Sequence, residues 1–344
     1  MKRILCMILA LCMLVCFAAC GAPAKEEVET KSTKATAEVP SSAAPTTEAA
    51  TDPTEETAGE SQITPLLYKV TDADGHVVWL FGSIHVGEDT YYPLPKYVMD
   101  AYKGADALAV ECDVVTFAQD LGAQTAALTQ MVYLDGTRIS DHLPPELYER
   151  AVEVMKVCGL YISMMDMYYP ILWSSFIDSS LITKLGAKTE LGIDMYFLND
   201  AHETGKEILE VESVEFQYGL LAGFSEELQI LLLEGSIAGY EDLESYGAEL
   251  EALMDAWESG DETAISALFS EEAELENAEE EALYAEYTEA MVVGRNENMA
   301  DYAEEALKSG KEIFICVGAA HVVGEGAVAD LLAQRGYTVE LVTP

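Results

Sequence analysis

The chain is expected to fold as an α/β domain with a β-hairpin start, a mostly parallel central sheet and a large helical segment in the middle. Three observations point there. Two apolar runs flank Asp74-Gly75 near the start of the domain, strand-like runs then alternate with helical stretches, and two strand-like runs far apart in sequence end in the same Gly-x-x-His pattern.

Residues 1–19 read as a bacterial lipoprotein signal. Lys2 and Arg3 form its charged start, Ile4 to Phe17 its apolar stretch, and Ala18-Ala19 precede Cys20, the residue expected to carry lipid after cleavage. The apolar run is shorter than the roughly 20 residues a membrane span needs. Phe17 stands where such signals usually have Leu. Residues 20–62 are rich in Thr, Ala, Glu, Ser and Pro and contain no aromatic side chain, the composition of a solvated, lipid-anchored linker. At roughly 3 Å per residue it reaches up to about 100 Å from the lipid. The remainder, residues 63–344, has no second linker and is read as one domain.

Within that domain Leu66 to Val70 and Val77 to Phe81 flank the Asp74-Gly75 turn as a hairpin. Gly82-Ser83-Ile84-His85 follows directly. A helix from about Lys96 to Lys103 leads to the apolar run Ala107-Leu108-Ala109-Val110, which ends in Glu111. Strand, helix, strand predicts a parallel pair. Val114 to Gly205 is mostly helical, with breaks at Pro144-Pro145, Gly159, Pro170 and Gly186. Its Met155, Met164, Met165 and Met167, with Tyr161, Tyr168 and Trp173, are expected in core contact. A strand from Ile208 to Val211 ends in Glu212, and helices occupy Ser213 to about Ser309. The chain closes with a strand from Ile313 to Val317, the turn Gly318-Ala319-Ala320-His321, a helix from about Gly326 to Arg335 and a strand from Thr338 to Val342.

With 62 acidic against 18 basic residues the formal charge is −44. Such a chain repels phosphate polymers, which excludes nucleic acid as a partner. Acid concentrates between Glu241 and Glu289, interleaved with Leu, Ala, Trp and Tyr at helical spacing, so solvated helix faces are expected there. No Asp-x-Asp-x-Asn-Gly loop supports a calcium site. Four cysteines (Cys6, Cys12, Cys16, Cys20) belong to the signal and anchor. The remaining Cys112, Cys158 and Cys316 are too few for a disulfide framework, and Cys112 and Cys316 are expected as buried thiols.

The chemistry rests on two echoing stretches, Phe81-Gly82-Ser83-Ile84-His85-Val86 and Val317-Gly318-Ala319-Ala320-His321-Val322, which use two of the five histidines. Glycine permits a sharp exit from the strand and small residues allow close approach to a neighbour. Each imidazole is then delivered to the carboxyl end of a strand, where open α/β sheets bind ligands. Glu111 and Glu212 end strands in the same way. Two imidazoles and two carboxylates meeting at one edge can bind a divalent metal cation or perform acid/base chemistry. His76, His142 and His202 fit plain turn-capping roles better.

On the motifs Leu80 to Gly87, Val110-Glu111, Leu191-Gly192-Ile193-Asp194, Val211-Glu212 with Gln217, Arg295-Asn296 with Met299, and Val317 to His321, the sequence resembles the TraB/GumN family. Wider relatives of that family include the Tiki membrane proteases and, more distantly, the erythromycin esterases. The resemblance implies a hydrolase centre of His85, Glu111 and His321 with Arg295 beside them, and metal-dependent protease activity as in the Tiki branch. It also implies a role against peptide pheromones, as among conjugation proteins. No His-Glu-x-x-His zinc helix is present. The expectation is therefore an extracytoplasmic, membrane-anchored hydrolase acting on a peptide or small-molecule substrate. His85, Glu111 and His321 would be its metal ligands, Glu212 its base and Arg295 its oxyanion donor. The contrasting class is a non-catalytic protein that sequesters a peptide, or haem through His85 and His321.

Overall fold

The computed structural model describes residues 63–270 and 277–344. The expected signal, Cys20 and the linker to residue 62 lie outside the described residues. Strands β1 (Leu67–Thr71) and β2 (Val77–Ser83) form the expected hairpin, with Leu67 opposite Phe81 and Val70 opposite Val78. Its turn is closed by Asp72, whose carboxylate accepts from the backbone amides of Asp74 and His76. Gly75 supplies a φ of +90° there.

Helix α1 (Lys96–Gly104) leads to β3 (Ala107–Val110), and β4 (Glu207–Glu210), β5 (Ile313–Gly318) and β6 (Thr338–Leu341) complete a six-stranded sheet of order β4-β3-β5-β2-β1-β6. The strands β4, β3, β5 and β2 run parallel, while β1 is antiparallel to both β2 and β6. β2 and β3 share a direction, as strand-helix-strand predicts, but they are not neighbours. β5 lies between them, pairing Leu80 with Ile315 on one side and Ala109 with Ile315 on the other. The reason is burial: Ile313 to Val317 is buried throughout, and such a run is satisfied only in the middle of a sheet covered on both faces. Phe81, Phe197, Phe314 and Tyr102 stack over it with ring centroids 4.8–5.6 Å apart.

The helical middle includes α2 (Pro170–Lys184), α3 (Ile193–Thr204), α4 (Val214–Ala222), α5 (Glu226–Glu241), α6 (Leu243–Ser259), α7 (Glu262–Ser270), α8 (Ala278–Thr288) and α9 (Gly294–Ser309). No helix among the described residues is long and apolar enough to cross a membrane. Of the expected methionine surface, Met155, Met165 and Trp173 are buried, whereas Met164 and Met167 are exposed. Trp257 on α6 donates to the backbone oxygen of Gly82 at 2.9 Å and so ties the helical block to the end of β2.

Where α2, α5 and α6 meet, Asp178 is fully buried among Ser174, Ser236 and Tyr246, with Ser236 Oγ donating at 2.6 Å. Burial pushes its carboxyl up to about 7, against the opposing hydrogen bonds of Ser236, Ser174 and Tyr246. The folded state thus holds this proton more tightly than the unfolded chain, where a carboxyl releases it near pH 3.9. Its contribution to stability is complete below about pH 4 and is lost as pH rises through about 7. Asp178→Asn keeps the shape without the ionisation. Its melting temperature relative to the parent is expected to rise between pH 5 and pH 8, and a constant difference across that range would refute the buried-proton account.

Candidate active site at the carboxyl ends of the parallel strands

Because β2, β5, β3 and β4 are neighbours in that order and parallel, their carboxyl ends place His85, His321, Glu111 and Glu212 along one edge. Hydrogen bonds from Val211 N to Val110 O and from Glu212 N to Glu111 O carry the pairing of β3 and β4 past the regular strands. After β2 the chain docks on the segment leading into α3, with Ile193 N donating to Ile84 O at 2.9 Å and Gly87 N to Lys188 O at 3.0 Å. Two glycines make that approach possible: a Cβ on Gly192 would lie 2.6 Å from His85 O, and one on Gly87 would lie 2.0 Å from Leu191 O.

This docking brings Asp194, near the start of α3, against His85. The Nδ1 of His85 lies 2.7 Å from Asp194 Oδ2, and Ser83 Oγ donates to Asp194 Oδ1 at 2.6 Å. The second imidazole is held in a parallel way. His321 Nδ1 lies 2.7 Å from Asn296 Oδ1, while Asn296 Nδ2 donates to Gly326 O at 2.9 Å. An acceptor at Nδ1 places the proton there and leaves the lone pair on Nε2. Burial, with the Arg295 charge next, pushes His321 down to about 3, so this imidazole is neutral at physiological pH.

Between the histidines and β4 sits a buried ionic cluster. Arg295 is 2% exposed and enters α9 directly after a π-helical turn, Glu289–Val293, of a kind found often at functional sites. Its guanidinium donates to Glu111 Oε2 at 2.6 Å and to both oxygens of Glu212 at 2.8 Å. Gln217 Nε2 bridges the same carboxylates, at 3.1 Å from Glu111 and 3.0 Å from Glu212, and Gly318 N donates to Glu111 Oε1 at 2.9 Å. Burial alone raises the Glu111 carboxyl, but Arg295, the neighbouring imidazoles and the Gly318 amide outweigh it and hold the group well below the usual carboxylate range.

A cavity of about 20 Å³ lined by His85, Val110, Glu111, Cys112, Asp194, Leu198 and Gln217 opens beside the cluster. That is room for about one water. It is far below the several hundred Å³ that ligand pockets occupy, and His321 is not among the residues that line it. All five sequence-predicted residues reach this edge. His85, Glu111 and His321 also surround the same missing side chain, since a Cβ on Gly318 would lie 3.4 Å from Glu111 Oε1, 3.9 Å from His85 Nε2 and 3.8 Å from His321 Cδ2. Their ligand atoms are not all within 4.8 Å of one another. Among the described residues that grouping occurs at Asp72, Asp74 and His76 in the hairpin turn, where the likeness to a metal-binding set is one of residue type and spacing. Sequence reasoning assigned no role to Ser83, Asp194, Gln217 or Asn296. All four were visible in the sequence only as positions within the motifs.

A model of the TraB/PrgY/gumN family matches residues 66–341. The Escherichia coli (strain K12) protein YbaP, itself uncharacterized, is 24% identical over 255 residues, covering 74% of this chain and 86% of its own. Its Shigella flexneri counterpart gives the same figures. Metalloprotease TIKI2 of Xenopus tropicalis is 23% identical over 306 residues, covering 76% of this chain and 57% of its own, so the chain spans little more than half of that relative. No solved structure matches. With the match running from the first strand to the last, and both Gly-x-x-His turns and their glutamate inside it, the chain belongs to the TraB/PrgY/gumN family.

Proposed function

We propose that the protein is a hydrolase of peptides, held at the outer face of a bacterial membrane through lipid on Cys20. The observation that carries the reading is the pair of imidazoles, each fixed at Nδ1 by a side-chain oxygen, meeting Glu111 around Gly318 beside a one-water cavity. Similarity to a metalloprotease supports it. The donors suit a divalent cation by type: two oriented imidazoles with acceptors behind them, and one carboxylate. His85, His321 and Glu111 would hold that cation, and it would supply a water acidified toward neutral pH.

The chain's own side chains do the rest. Asp194 and Asn296 fix the tautomers, and burial keeps His321 neutral so that its lone pair stays available at physiological pH. Arg295 and the Gly318 amide keep Glu111 ionised, and Gln217 aligns it with the cavity. Glu212 and Arg295 take different roles from those the sequence suggested. Arg295 donates through Nε and Nη2 to the two carboxylates and through Nη1 to Met291 O, so in this reading it balances charge instead of receiving an oxyanion, and Glu212, bonded to Arg295 and Gln217, is its counter-ion instead of a base.

Gly318→Ala tests the site without breaking the fold. Gly318 has φ −54° and ψ 139°, which alanine adopts freely, and the new methyl makes only contacts of 3.4 Å or more. The melting temperature is expected to stay within about 2 °C of the parent. Hydrolysis of a mixed peptide pool, and its loss on adding a chelator, are expected to fall by about 100-fold or more because the methyl fills the space between the three groups. An alanine variant as active as the parent would move the site elsewhere.

A further inference from the structure

We propose that Ser83 is a positioning residue for His85, acting through Asp194, and that this support makes the two Gly-x-x-His turns chemically unequal. The inference rests on the reading of this edge as a hydrolytic site. Gly82-Ser83-Ile84-His85 carries a hydroxyl where Gly318-Ala319-Ala320-His321 carries a methyl. Ser83 is 2% exposed, and its Oγ donates to Asp194 Oδ1 at 2.6 Å, while the other oxygen of that carboxylate meets His85 Nδ1 at 2.7 Å. The turn therefore closes on itself through a side chain 111 residues from the serine and 109 from the histidine.

That carboxylate has a competing place to go. Asp194 is the second residue of α3, whose N-cap is Gly192 and which has no side-chain cap. The first-turn amides of a helix lack carbonyl partners and attract carboxylates. Turned onto its own helix, Asp194 would leave His85 Nδ1 without an acceptor, and nothing would then keep the ring proton on that nitrogen. The Ser83 hydroxyl ties the carboxylate to β2 instead, through a bond of a kind roughly twice as strong as one between neutral groups. His321 needs no serine. Its partner Asn296 is clamped by Gly326 O, which accepts from Nδ2 at 2.9 Å and so fixes which end of the amide faces the ring. A carboxylate has two like oxygens and no donor, so its clamp has to be a hydroxyl or an amide; here it is Ser83. A carboxylate behind an imidazole also strengthens its free nitrogen as a ligand more than an uncharged amide does, which makes His85 the stronger donor of the two.

Ser83→Ala, Ser83→Thr and Ser83→Ala/Asp194→Asn, made in the whole chain, test this. Alanine already stands at the matching place in the second turn, and threonine returns the hydroxyl. The first readout is the pair of imidazole ¹⁵N resonances of each histidine without metal, which reports the nitrogen that carries the proton. In the parent, His85 and His321 are both expected to hold it on Nδ1. Ser83→Ala is expected to turn His85 into a mixture of the two tautomers while His321 stays as it was, and Ser83→Thr to restore the parent pattern. The second readout is calorimetric binding of Zn²⁺ alone, expected to weaken about 10-fold in Ser83→Ala, the lower end of the range for losing support behind a liganding imidazole. On the Asp194→Asn background the same substitution is expected to add less than about 2-fold, because a residue that acts through Asp194 has nothing left to hold. An unchanged His85 tautomer in Ser83→Ala, an equal change at His321, a threonine variant no better than alanine, or a full loss on the Asp194→Asn background overturns the proposal. The tautomer is read without metal or substrate, so a protein that neither binds Zn²⁺ nor cleaves peptides would remove the hydrolase reading while the ¹⁵N pattern still decides the role of Ser83.

Discussion

Arg295→Met is expected to lower the unfolding free energy by about 3 to 5 kcal/mol, the cost of removing one partner from a buried ionic group. Among the described residues Arg295 is the cation bonded to both Glu111 and Glu212, whose side chains are 8% and 3% exposed. Without it two carboxylates are left facing each other with Gln217 and the Gly318 amide as their donors among the described residues. The pH dependence fixes the cause. In the parent Glu111 lies below its unfolded value, so its contribution is present above about pH 4 and is lost as pH falls through the lowered folded value. In Arg295→Met the same carboxyl is expected above its unfolded value, which reverses the sign and makes the loss smaller at pH 5 than at pH 8. Neutralising both acids as well, in Arg295→Met/Glu111→Gln/Glu212→Gln, is expected to recover much of the stability, since an uncharged cluster needs no counter-ion. A triple variant no more stable than the single one would show that packing around the long Arg295 side chain, and not its charge, holds this corner together.

The strands and both Gly-x-x-His turns were legible because their signals are local. Each is a short apolar run closed by glycine and a polar side chain, and Ala107 to Val110 and Ile313 to Val317 appear in the sheet with the expected limits to within a residue. The neighbour relations were not legible in the same way. Strand order depends on which run needs the centre of the sheet, and that is decided by competition among all six strands. The site divides along the same line. His85, Glu111 and His321 announce themselves at strand ends, but what each can do depends on partners from elsewhere: Asp194 lies 109 residues from His85, and Arg295 lies 184 from Glu111. A carboxylate with a free lone pair and one gripped by a guanidinium look identical in sequence. That is why Glu212 and Arg295 could be seen as neighbours of the histidines, while the mutual hydrogen bonds behind the counter-ion roles proposed above could not.

His85→Ala and His321→Ala are each expected to reduce turnover by about 10³-fold or more, and the double variant to be no worse than the poorer single one, because residues that act on one water fail as a unit. The structure also separates their effects on folding. His85 is 11% exposed and its partner Asp194 keeps the Ser83 hydroxyl, so its loss is expected to cost under about 1 kcal/mol. His321 is buried against Asn296, and removing it strands an amide oxygen, at a cost of about 1 to 3 kcal/mol. Asp194→Asn offers an intermediate case. It keeps the shape but not the charge behind His85, and a loss of about 10- to 100-fold is expected, the range for partners that orient a metal-bound or proton-accepting imidazole. Turnover per folded molecule, measured with and without chelator on the two single variants, the double variant and Asp194→Asn, reads both effects at once. If the two histidines serve only as turn caps at the ends of β2 and β5, their stability costs will add and specific activity per folded molecule will be unchanged. That result would remove the catalytic reading of this edge altogether.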